Sequence, residues 1–297
     1  MLIAVVHWNS RAETLACLRS LLGAADAGHD ILVIDNSSAR DDDATFQSMH
    51  ARVRCLRLPE NRGYAAALNH ARARCLDGQY LGLFMLNADC ILEAETIDAL
   101  LQAQSDRPGS ILGCLIMDVA GNRIAMPEKF LHANGRWRSG PKDRPVAMDH
   151  KAPPSRVAAV HGAAWFVPTE LLRGQDLDEQ FFLYCEETDY CLHAARSGAA
   201  TYLVPGARVR HVGSAQGRSS EALQHMLDYY RTRNEIELWR RHAGRWWYWI
   251  AARKGVKSLL ALLLVRPGAR YMALGWLDAL QGRMGKRFAP ESVWTEP

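Results

Sequence analysis

The sequence predicts an α/β protein, with a mostly parallel sheet flanked by helices and a helical extension at the C-terminus. The first observation is that short apolar runs at residues 2–7, 31–34 and 80–86 alternate with segments of helical periodicity. The second is that these runs are apolar on both faces, as are the strands of a covered parallel sheet. The third is that helical periodicity continues from Glu221 to about Arg287.

Local signals mark the remaining elements of the first half. Ser10 and Glu13 form a capping box, which predicts that a helix begins ahead of an apolar stripe. A further strand is predicted at 53–58, and the loop 59–63 opens an Ala-rich helix at 64–75.

Beyond residue 108 the alternation is less regular. The predictions here are strands at 111–117, at 157–167 with an interruption at Gly162, at 201–204 and at 209–211, a helix at 188–197 and a long loop at 135–156. A weak boundary near 213–220 separates this part from the C-terminal helical pattern.

The composition, 48% hydrophobic and 23% charged over 297 residues, is that of a globular protein. The seven cysteines are odd in number and form no Cys-x-x-Cys pair. This usage is typical of reduced cytosolic thiols and argues against a disulfide framework or a structural zinc site. The N-terminus lacks the pattern of a signal peptide, and the longest apolar run, 259–265, is too short to span a bilayer.

Polar residues directly follow two of the predicted strands. Asp35 and Asn36 follow one, and Asn87 and Asp89 follow another. Ligands of an open α/β sheet bind at the carboxyl ends of its strands, where a carboxylate can hold a metal ion or contact a nucleotide. Asn and Asp are also common turn formers, so each pair taken alone fits a simple turn as well.

Three acids, Glu186, Glu187 and Asp189, follow aromatic residues at a predicted helix start. Partial desolvation raises a carboxylate pKa and favours a general base. The alternative is the ordinary enrichment of acids in a first helical turn, where they interact favourably with the helix dipole. His211 follows an alternating strand; imidazole is a common metal ligand, although a lone His is more often simply packed or exposed.

Nine segments, in order, resemble family 2 glycosyltransferases with the Rossmann-like GT-A fold, especially the rhamnosyltransferase-like branch that builds bacterial surface polysaccharides. They are residues 5–9, 33–38, 61–69, 86–89, 162–164, 177–182, 186–189, 210–213 and 229–234. The resemblance covers about residues 1–240. It implies a catalytic domain at 1–215, with a nucleotide-binding half at about 1–108 and an acceptor-binding half at about 109–215. The basic, Trp-rich helical region at 216–297 follows it.

The resemblance implies that eight residues bind the donor. Asp35 is expected to contact the nucleotide base above a pocket floor made by Trp8 and Asn9. Asn61 and Gly63 are expected to form the wall near the ribose. The other implied donor-site residues are Asn36, Asn69 and Asn87.

The resemblance also implies a divalent metal, Mg²⁺ or Mn²⁺, and a general base. Residues 87–89 match the Asp-x-Asp metal motif, with Asn87 in place of the first acid and Asp89 retained. His211 stands where some members carry a further metal ligand. Glu187 stands at the position of the base in place of the usual Asp, and Asp189 remains an alternative base.

These roles imply an inverting, hexosyltransferase-type enzyme, in which the acceptor hydroxyl attacks the anomeric carbon in line with the departing nucleotide diphosphate. The implied partners are a nucleotide diphosphate sugar, for example of a deoxyhexose such as rhamnose, and a glycan or lipid-linked glycan acceptor. One rival is a sugar-1-phosphate nucleotidyltransferase, whose Gly-rich phosphate loop is missing from residues 1–20. Another is a non-catalytic sugar- or lipid-binding protein on the same fold.

The C-terminal region is basic and rich in Trp. Residues 231–297 hold 13 Lys and Arg against 5 Asp and Glu, whereas the rest of the chain is slightly acidic. Trp and cations at 245–257, followed by the apolar run 259–265, resemble a segment that lies on an anionic membrane. We therefore expect a cytoplasmic protein bound peripherally to the inner face of the plasma membrane, with no nucleic-acid partner. The alternative is a helix packed on the α/β domain or on the second subunit of a homodimer.

Overall fold

The computed structural model describes residues 1–24, 28–121, 129–131, 137–139, 151–212 and 221–290. The first half of its central sheet consists of β1 (Leu2–His7), β2 (Asp30–Asp35), β3 (Val53–Arg57) and β4 (Gly82–Asn87). All three pairings in the order β3-β2-β1-β4 are parallel. The parallel strands predicted from the apolar runs are therefore present.

Helices cover both faces of the sheet. They are α1 (Arg11–Ala24), α2 (Asp43–Gln47), α3 (Tyr64–Asp77), α4 (Thr96–Asp106), α5 (Thr169–Gly174) and α6 (Glu186–Arg196). Successive side chains of a strand point to opposite faces. Ile3 accordingly belongs to one core with Leu18 of α1 and Phe46 of α2, while Ala4 belongs to the other with Leu68 of α3. The result is the predicted sheet flanked by helices.

The second half of the sheet is mixed. It is built from β5 (Cys90–Leu92), β6 (Ile111–Met117), β9 (Ser155–Arg156), β10 (Ala164–Pro168) and β11 (Thr201–His211). β10 lies antiparallel between β4 and β6, and β11 runs parallel to β6 and antiparallel to β5 and β9. A separate antiparallel pair joins β7 (Lys129–Leu131) and β8 (Trp137–Ser139).

Three local predictions of the second half are wrong. The strands expected at 201–204 and 209–211 are one strand, β11, whose register shifts between Val204 and Arg208, because the sheet absorbs Pro205 and Gly206 as an irregularity. The strand expected at 157–167 begins only at Ala164. The loop expected at 135–156 contains β8 and β9. The expected boundary at 213–220 lies outside the described residues.

Three helices form the C-terminal region: α7 (Glu221–His242), α8 (Trp246–Leu263) and α9 (Ala269–Leu280). Helix α9 packs closely on α7, since a Cβ added at Gly275 would lie 2.5 Å from the Tyr229 carbonyl oxygen. The helical pattern expected to reach 287 ends at Leu280. Within the described ranges, no helix combines the length and the apolar composition needed to cross a bilayer.

Candidate active site

A cleft of about 340 Å³ opens at the carboxyl ends of β1 and β4. Its walls come from the loops after these strands, from the start of α6 and from α7. The predicted site residues in its lining are Trp8, Asn36, Asn61, Gly63, Asn87, Asp89, Glu187 and His211. Four other predicted residues, Asn9, Asp35, Asn69 and Asp189, are not among the lining residues. The tertiary fold thus gathers most of the predicted site, although its members lie far apart in the sequence.

A network of amides shapes the side of the cleft formed by Asn36, Asn61 and Gly63, where the donor is predicted to bind and which we call the donor side. The side-chain nitrogen of Asn36 donates to Oδ1 of Asn61 at 3.0 Å and to the Gly63 carbonyl at 3.2 Å. Oδ1 of Asn61 also accepts from the Gly63 amide at 3.0 Å, and the Asn61 carbonyl accepts from the Lys286 ammonium at 2.7 Å. These bonds hold the loop after β3 against the loop after β2.

Gly63 occupies a position that no other residue fits. Its φ is +96°, and an added Cβ would lie 2.2 Å from the Phe182 carbonyl oxygen. The same oxygen accepts a hydrogen bond from the Tyr64 amide at 2.7 Å. The loop of Asn61 and Gly63, predicted to be the donor wall, therefore rests directly on the segment that leads into α6.

Asp35 and Asn9 support the donor side from behind. The fully buried carboxylate of Asp35 accepts from the Ser38 amide at 2.7 Å and from the Arg57 guanidinium at 2.5 Å. The backbone amide of Asn9 donates to the Ser38 hydroxyl at 2.9 Å, and the side-chain Oδ1 of Asn9 accepts from the backbone amide of Ala39 at 2.8 Å. Both residues hold the loop after β2 in place.

Asn69 lies on α3 and connects this helix to the segment before α6. Its side chain donates to the Leu177 carbonyl at 2.9 Å and to the Glu179 carboxylate at 3.0 Å, and it accepts from the Leu177 amide at 3.0 Å. These contacts use both the nitrogen and the oxygen of the Asn69 side chain.

Asp89 and His211 form a pair suited to a divalent cation. Nε2 of His211 lies 3.2 Å from Oδ1 of Asp89, yet it is buried and has no hydrogen bond of acceptable geometry among the described residues. The neighbouring thiol of Cys90 lies within the same group. That thiol donates to the Ala163 carbonyl at 3.2 Å, and burial raises its pKa well above the usual range. The oxygen and nitrogen ligands of this group are one carboxylate and one imidazole.

The acids at the start of α6 face different surroundings. Glu186 and Glu187 line the cleft, and both are nearly fully buried. Oε1 of Glu187 accepts from the Thr188 hydroxyl at 2.9 Å, and the Glu187 side chain packs over Gly162. The carboxylate of Asp189 instead lies 2.8 Å from Nε2 of His242 and 3.5 Å from the Arg241 guanidinium.

The sequence predictions missed several lining residues. The Tyr64 hydroxyl donates to the Gly162 carbonyl at 2.8 Å, and burial raises the pKa of this phenol well above its usual value, so it remains a donor. Tyr64 lies inside the segment 61–69 and His161 directly precedes the segment 162–164, so their positions carried a usable signal. Leu223, Met226 and Leu227 of α7 carried none, because only long-range packing brings this part of the helix to the cleft.

The chain resembles curated relatives over nearly its whole length. It is 26% identical over 292 residues to the N-acetylglucosaminyl-diphospho-decaprenol L-rhamnosyltransferase of Mycobacterium tuberculosis, and the match covers 90% of this chain and 93% of that protein. The same protein from a second strain of that organism matches equally.

Solved glycosyltransferases share the fold at low identity. The mannosyltransferase PcManGT from Pyrobaculum calidifontis, solved with GDP-Man and Mn²⁺, has a TM-score of 0.60 and 13% identity, covering 95% of this chain and 87% of that one. The first 349 residues of S. aureus TarS, solved with UDP-GlcNAc, have a TM-score of 0.57 and 13% identity over 94% and 80%. GalNAc-T7, solved with UDP, GalNAc and Mn²⁺, has a TM-score of 0.60 and 15% identity, and this chain spans only 55% of it.

The family follows from a match over more than half of the chain. Residues 2–159, which contain the parallel half of the sheet and much of the donor side of the cleft, match Glycosyl transferase family 2. The relatives, the GT-A neighbours and the arrangement of the cleft agree with that match. This chain is therefore a member of glycosyl transferase family 2, and it is a glycosyltransferase with a GT-A fold.

Proposed function

We propose that this glycosyltransferase moves a sugar, with inversion, from a nucleotide diphosphate donor to a lipid-linked glycan acceptor, with Glu187 as the general base. One observation carries the proposal. A single cleft is lined by the donor-side amides, by the pair Asp89 and His211, and by the buried carboxylate of Glu187. A metal-assisted inverting transfer uses one part to bind the nucleotide, one to stabilise the departing diphosphate and one to deprotonate the acceptor hydroxyl.

Glu187 is the base in this proposal because of where its carboxylate lies. It lines the cleft, whereas the carboxylate of Asp189 contacts His242 and Arg241. Glu187 takes the proton of the acceptor hydroxyl as that oxygen attacks the anomeric carbon. Because the nucleotide diphosphate leaves from the opposite face in the same step, the protein needs no covalent nucleophile.

Asp89 and His211 would hold a divalent cation. A carboxylate and an imidazole at 3.2 Å leave most of the coordination shell to diphosphate oxygens and water, which suits Mn²⁺ or Mg²⁺. When bound, such an ion neutralises charge on the departing diphosphate. The single carboxylate suggests that the ion binds most tightly together with the donor. The Mn²⁺ in two of the related solved structures supports this assignment.

The acceptor side of the cleft is apolar. Leu223, Met226 and Leu227 of α7 line it next to Tyr184 and Arg231. Such a wall suits an acceptor that carries a lipid. The Arg231 guanidinium, which donates to the Tyr184 hydroxyl at 2.9 Å and lies 3.7 Å from Asp228, is proposed to contact an anionic linkage of that acceptor. The mycobacterial relative acts, by its name, on an N-acetylglucosaminyl diphospho-decaprenol. We propose a similar class of acceptor here, and rhamnose as the first donor sugar to test.

Peripheral membrane binding through α8 fits this acceptor. Trp249, Val256, Leu260 and Leu263 follow one another at spacings of seven, four and three residues, which place them on one helical face, and all are more than half exposed. Arg253 lies on the same stripe, with its guanidinium over the Trp249 ring. No acidic residue occurs between Glu237 and Asp278. An exposed apolar stripe inside an acid-free basic segment is complementary to an anionic lipid surface.

The test of the proposal is sugar transfer by purified protein. A panel of nucleotide diphosphate sugars, including a rhamnose donor, is incubated with a lipid diphosphate-linked GlcNAc acceptor, with Mn²⁺, Mg²⁺ or EDTA. We expect a metal-dependent product of inverted anomeric configuration, identified by NMR. A product of retained configuration would contradict the mechanism. Release of free sugar without any transfer, under every acceptor tested, would contradict the acceptor class.

A further inference from the structure

Two adjacent polar residues of α7, Arg233 and Asn234, are completely buried, with 0% of either residue exposed. Burying a guanidinium and a carboxamide costs free energy unless their polar atoms are hydrogen-bonded. The partners of these two side chains therefore indicate what the burial stabilises.

Both side chains donate mainly to carbonyls of the segment 180–184. The Asn234 side-chain nitrogen lies 2.8 Å from the Phe181 carbonyl, 2.7 Å from that of Leu183 and 3.0 Å from that of Tyr184. The Arg233 guanidinium reaches the carbonyls of Gln180, at 3.3 Å, and of Phe181, at 3.1 Å. It also donates to Gly285 at 2.6 Å, so the chain after α9 joins the same cluster.

The backbone that receives these bonds has an unfavourable conformation. Phe182, Tyr184 and Cys185 have φ values of 63°, 72° and 76°, in the left-handed region that side chains with a Cβ rarely adopt. Such residues persist only where the surroundings over-determine them. The two α7 side chains also donate to the carbonyls of Phe181, Leu183 and Tyr184, which lie outside any strand or α-helix.

This strained segment ends where α6 begins, at Glu186. It therefore sets the direction in which the first turn of α6 presents Glu186 and Glu187 to the cleft. The Phe182 carbonyl of the same segment accepts from Tyr64 on the donor side. Arg233 and Asn234 are not among the lining residues of the cleft, so they contact this segment and not the cleft itself.

We propose that Arg233 and Asn234 are positioning residues, which hold the segment 180–185 so that the Glu187 carboxylate points into the cleft. The proposal rests on the proposed role of Glu187 as the base. It makes the C-terminal helical region part of the catalytic apparatus and not only a surface-binding appendage. The guanidinium of Arg233 itself lies over the Tyr229 and Tyr230 rings, at 5.3 and 5.0 Å from their centroids.

The experiment compares Asn234→Ala, Arg233→Lys and Arg233→Ala with a buried control on the same helix. Ile236→Val is that control, because Ile236 is 1% exposed and packs among residues of the C-terminal helices, away from the segment. Donor KM, kcat and thermal stability are measured for each. We expect kcat to fall by about 10-fold or more in Asn234→Ala with the donor KM nearly unchanged, since a base displaced by about 1 Å loses most of its effect. Arg233→Lys should lose less than Arg233→Ala, and Ile236→Val should lose stability but not kcat.

A double variant separates positioning from a general structural defect. If Asn234 acts through Glu187, then Asn234→Ala should change kcat by no more than about twofold in a Glu187→Gln background. A full further loss in that background would overturn the positioning role. An unchanged kcat in folded Asn234→Ala would also overturn the positioning role. The same conclusion would follow if neither Asn234→Ala nor Arg233→Lys folded. Full activity of Glu187→Gln alone would instead overturn the proposed base.

Discussion

Nε2 of His242, at the end of α7, lies 2.8 Å from Oδ1 of Asp189 in α6. Nδ1 of the same ring accepts from the Arg196 guanidinium at 3.1 Å, so the imidazole links two charged residues of α6 and donates to Asp189. Residues two apart on a helix point about 200° away from each other. Glu187 therefore lines the cleft while Asp189 ties α6 to α7.

The first prediction separates these two acids. Glu187→Gln keeps the size of the side chain but removes its basicity, so we expect kcat to fall about 10²-fold or more, with donor affinity nearly unchanged. Asp189→Asn should keep most of kcat and lower the melting temperature, because it weakens the contact with His242 and Arg241. Steady-state kinetics and thermal unfolding of both variants provide the check. The reverse pattern would move the base to Asp189.

The second prediction concerns the cation. Asp89→Ala removes the one carboxylate of the pair and should abolish transfer, as should EDTA in the wild-type protein. His211→Ala should weaken binding of Mn²⁺, measured by calorimetry in the presence of the nucleotide diphosphate. Cys90→Ser is the matched control, because a hydroxyl can still donate to the Ala163 carbonyl. Full activity of Asp89→Ala, or a large loss in Cys90→Ser, would contradict the assignment.

The third prediction concerns Gly63, where a Cβ would lie 2.2 Å from a backbone oxygen and φ is +96°. Gly63→Ala should lower the free energy of unfolding by about 1–3 kcal/mol and displace the donor wall, which raises the donor KM. In Gly174→Ala, by contrast, the new Cβ meets no atom within 4 Å. Unfolding and kinetics of the two variants should differ clearly, and equal behaviour would show that the close approach to Phe182 does not matter.

The fourth prediction is a loss of stability in acid that begins near pH 6.5. Burial lowers the pKa of His7 from 6.5, although Asp35 and Asp42 oppose the shift. Nδ1 of His7 donates to the Thr14 hydroxyl, whose own proton goes to the Ser10 carbonyl. Below pH 6.5 the unfolded chain takes up a proton that the folded protein does not, so the free energy of unfolding falls as pH drops, until the folded pKa is reached.

The size of this effect is at most about 1.4 kcal/mol for each pH unit below 6.5. Denaturant unfolding between pH 8 and pH 5 measures it directly. In His7→Gln the dependence on pH should be shallower across this window. Parallel curves for the two proteins would mean that His7 does not contribute.

The fifth prediction concerns the exposed stripe of α8. Wild-type protein should co-sediment with anionic vesicles and less so at high salt, since the attraction of its cations is screened. Leu260→Asp with Leu263→Asp should abolish this binding, whereas Leu81→Asp, on a half-exposed side chain far away in the sequence, should not. Absence of vesicle binding, together with a dimer in sedimentation analysis that the double variant dissociates, would assign the stripe to a second copy of the chain.

The sequence alone was sufficient to predict the parallel strands and most of the residues that the fold brings together in the cleft. Strands apolar on both faces belong in a covered sheet, and polar residues that follow different strands, such as Asn36 and Asp89, meet at one edge because the strands are parallel. The family resemblance then supplied expected roles for these residues. Predictions failed where pairing is non-local: the single strand β11 contains Pro205 and Gly206, and only its neighbours β6, β5 and β9 keep it continuous.

Sequence periodicity also located the C-terminal helices and their positive charge, since both depend on short-range spacing. Periodicity did not reveal which of the two acids points into the cleft, because Glu187 and Asp189 fit the same helical turn equally well. The direction in which each acid points depends on His242 and on the strained segment 180–185, which is hydrogen-bonded by Arg233 and Asn234. These three α7 residues lie more than 40 residues away from the acids along the chain. Tertiary packing decided it, because a buried polar side chain takes the one orientation that satisfies its hydrogen bonds.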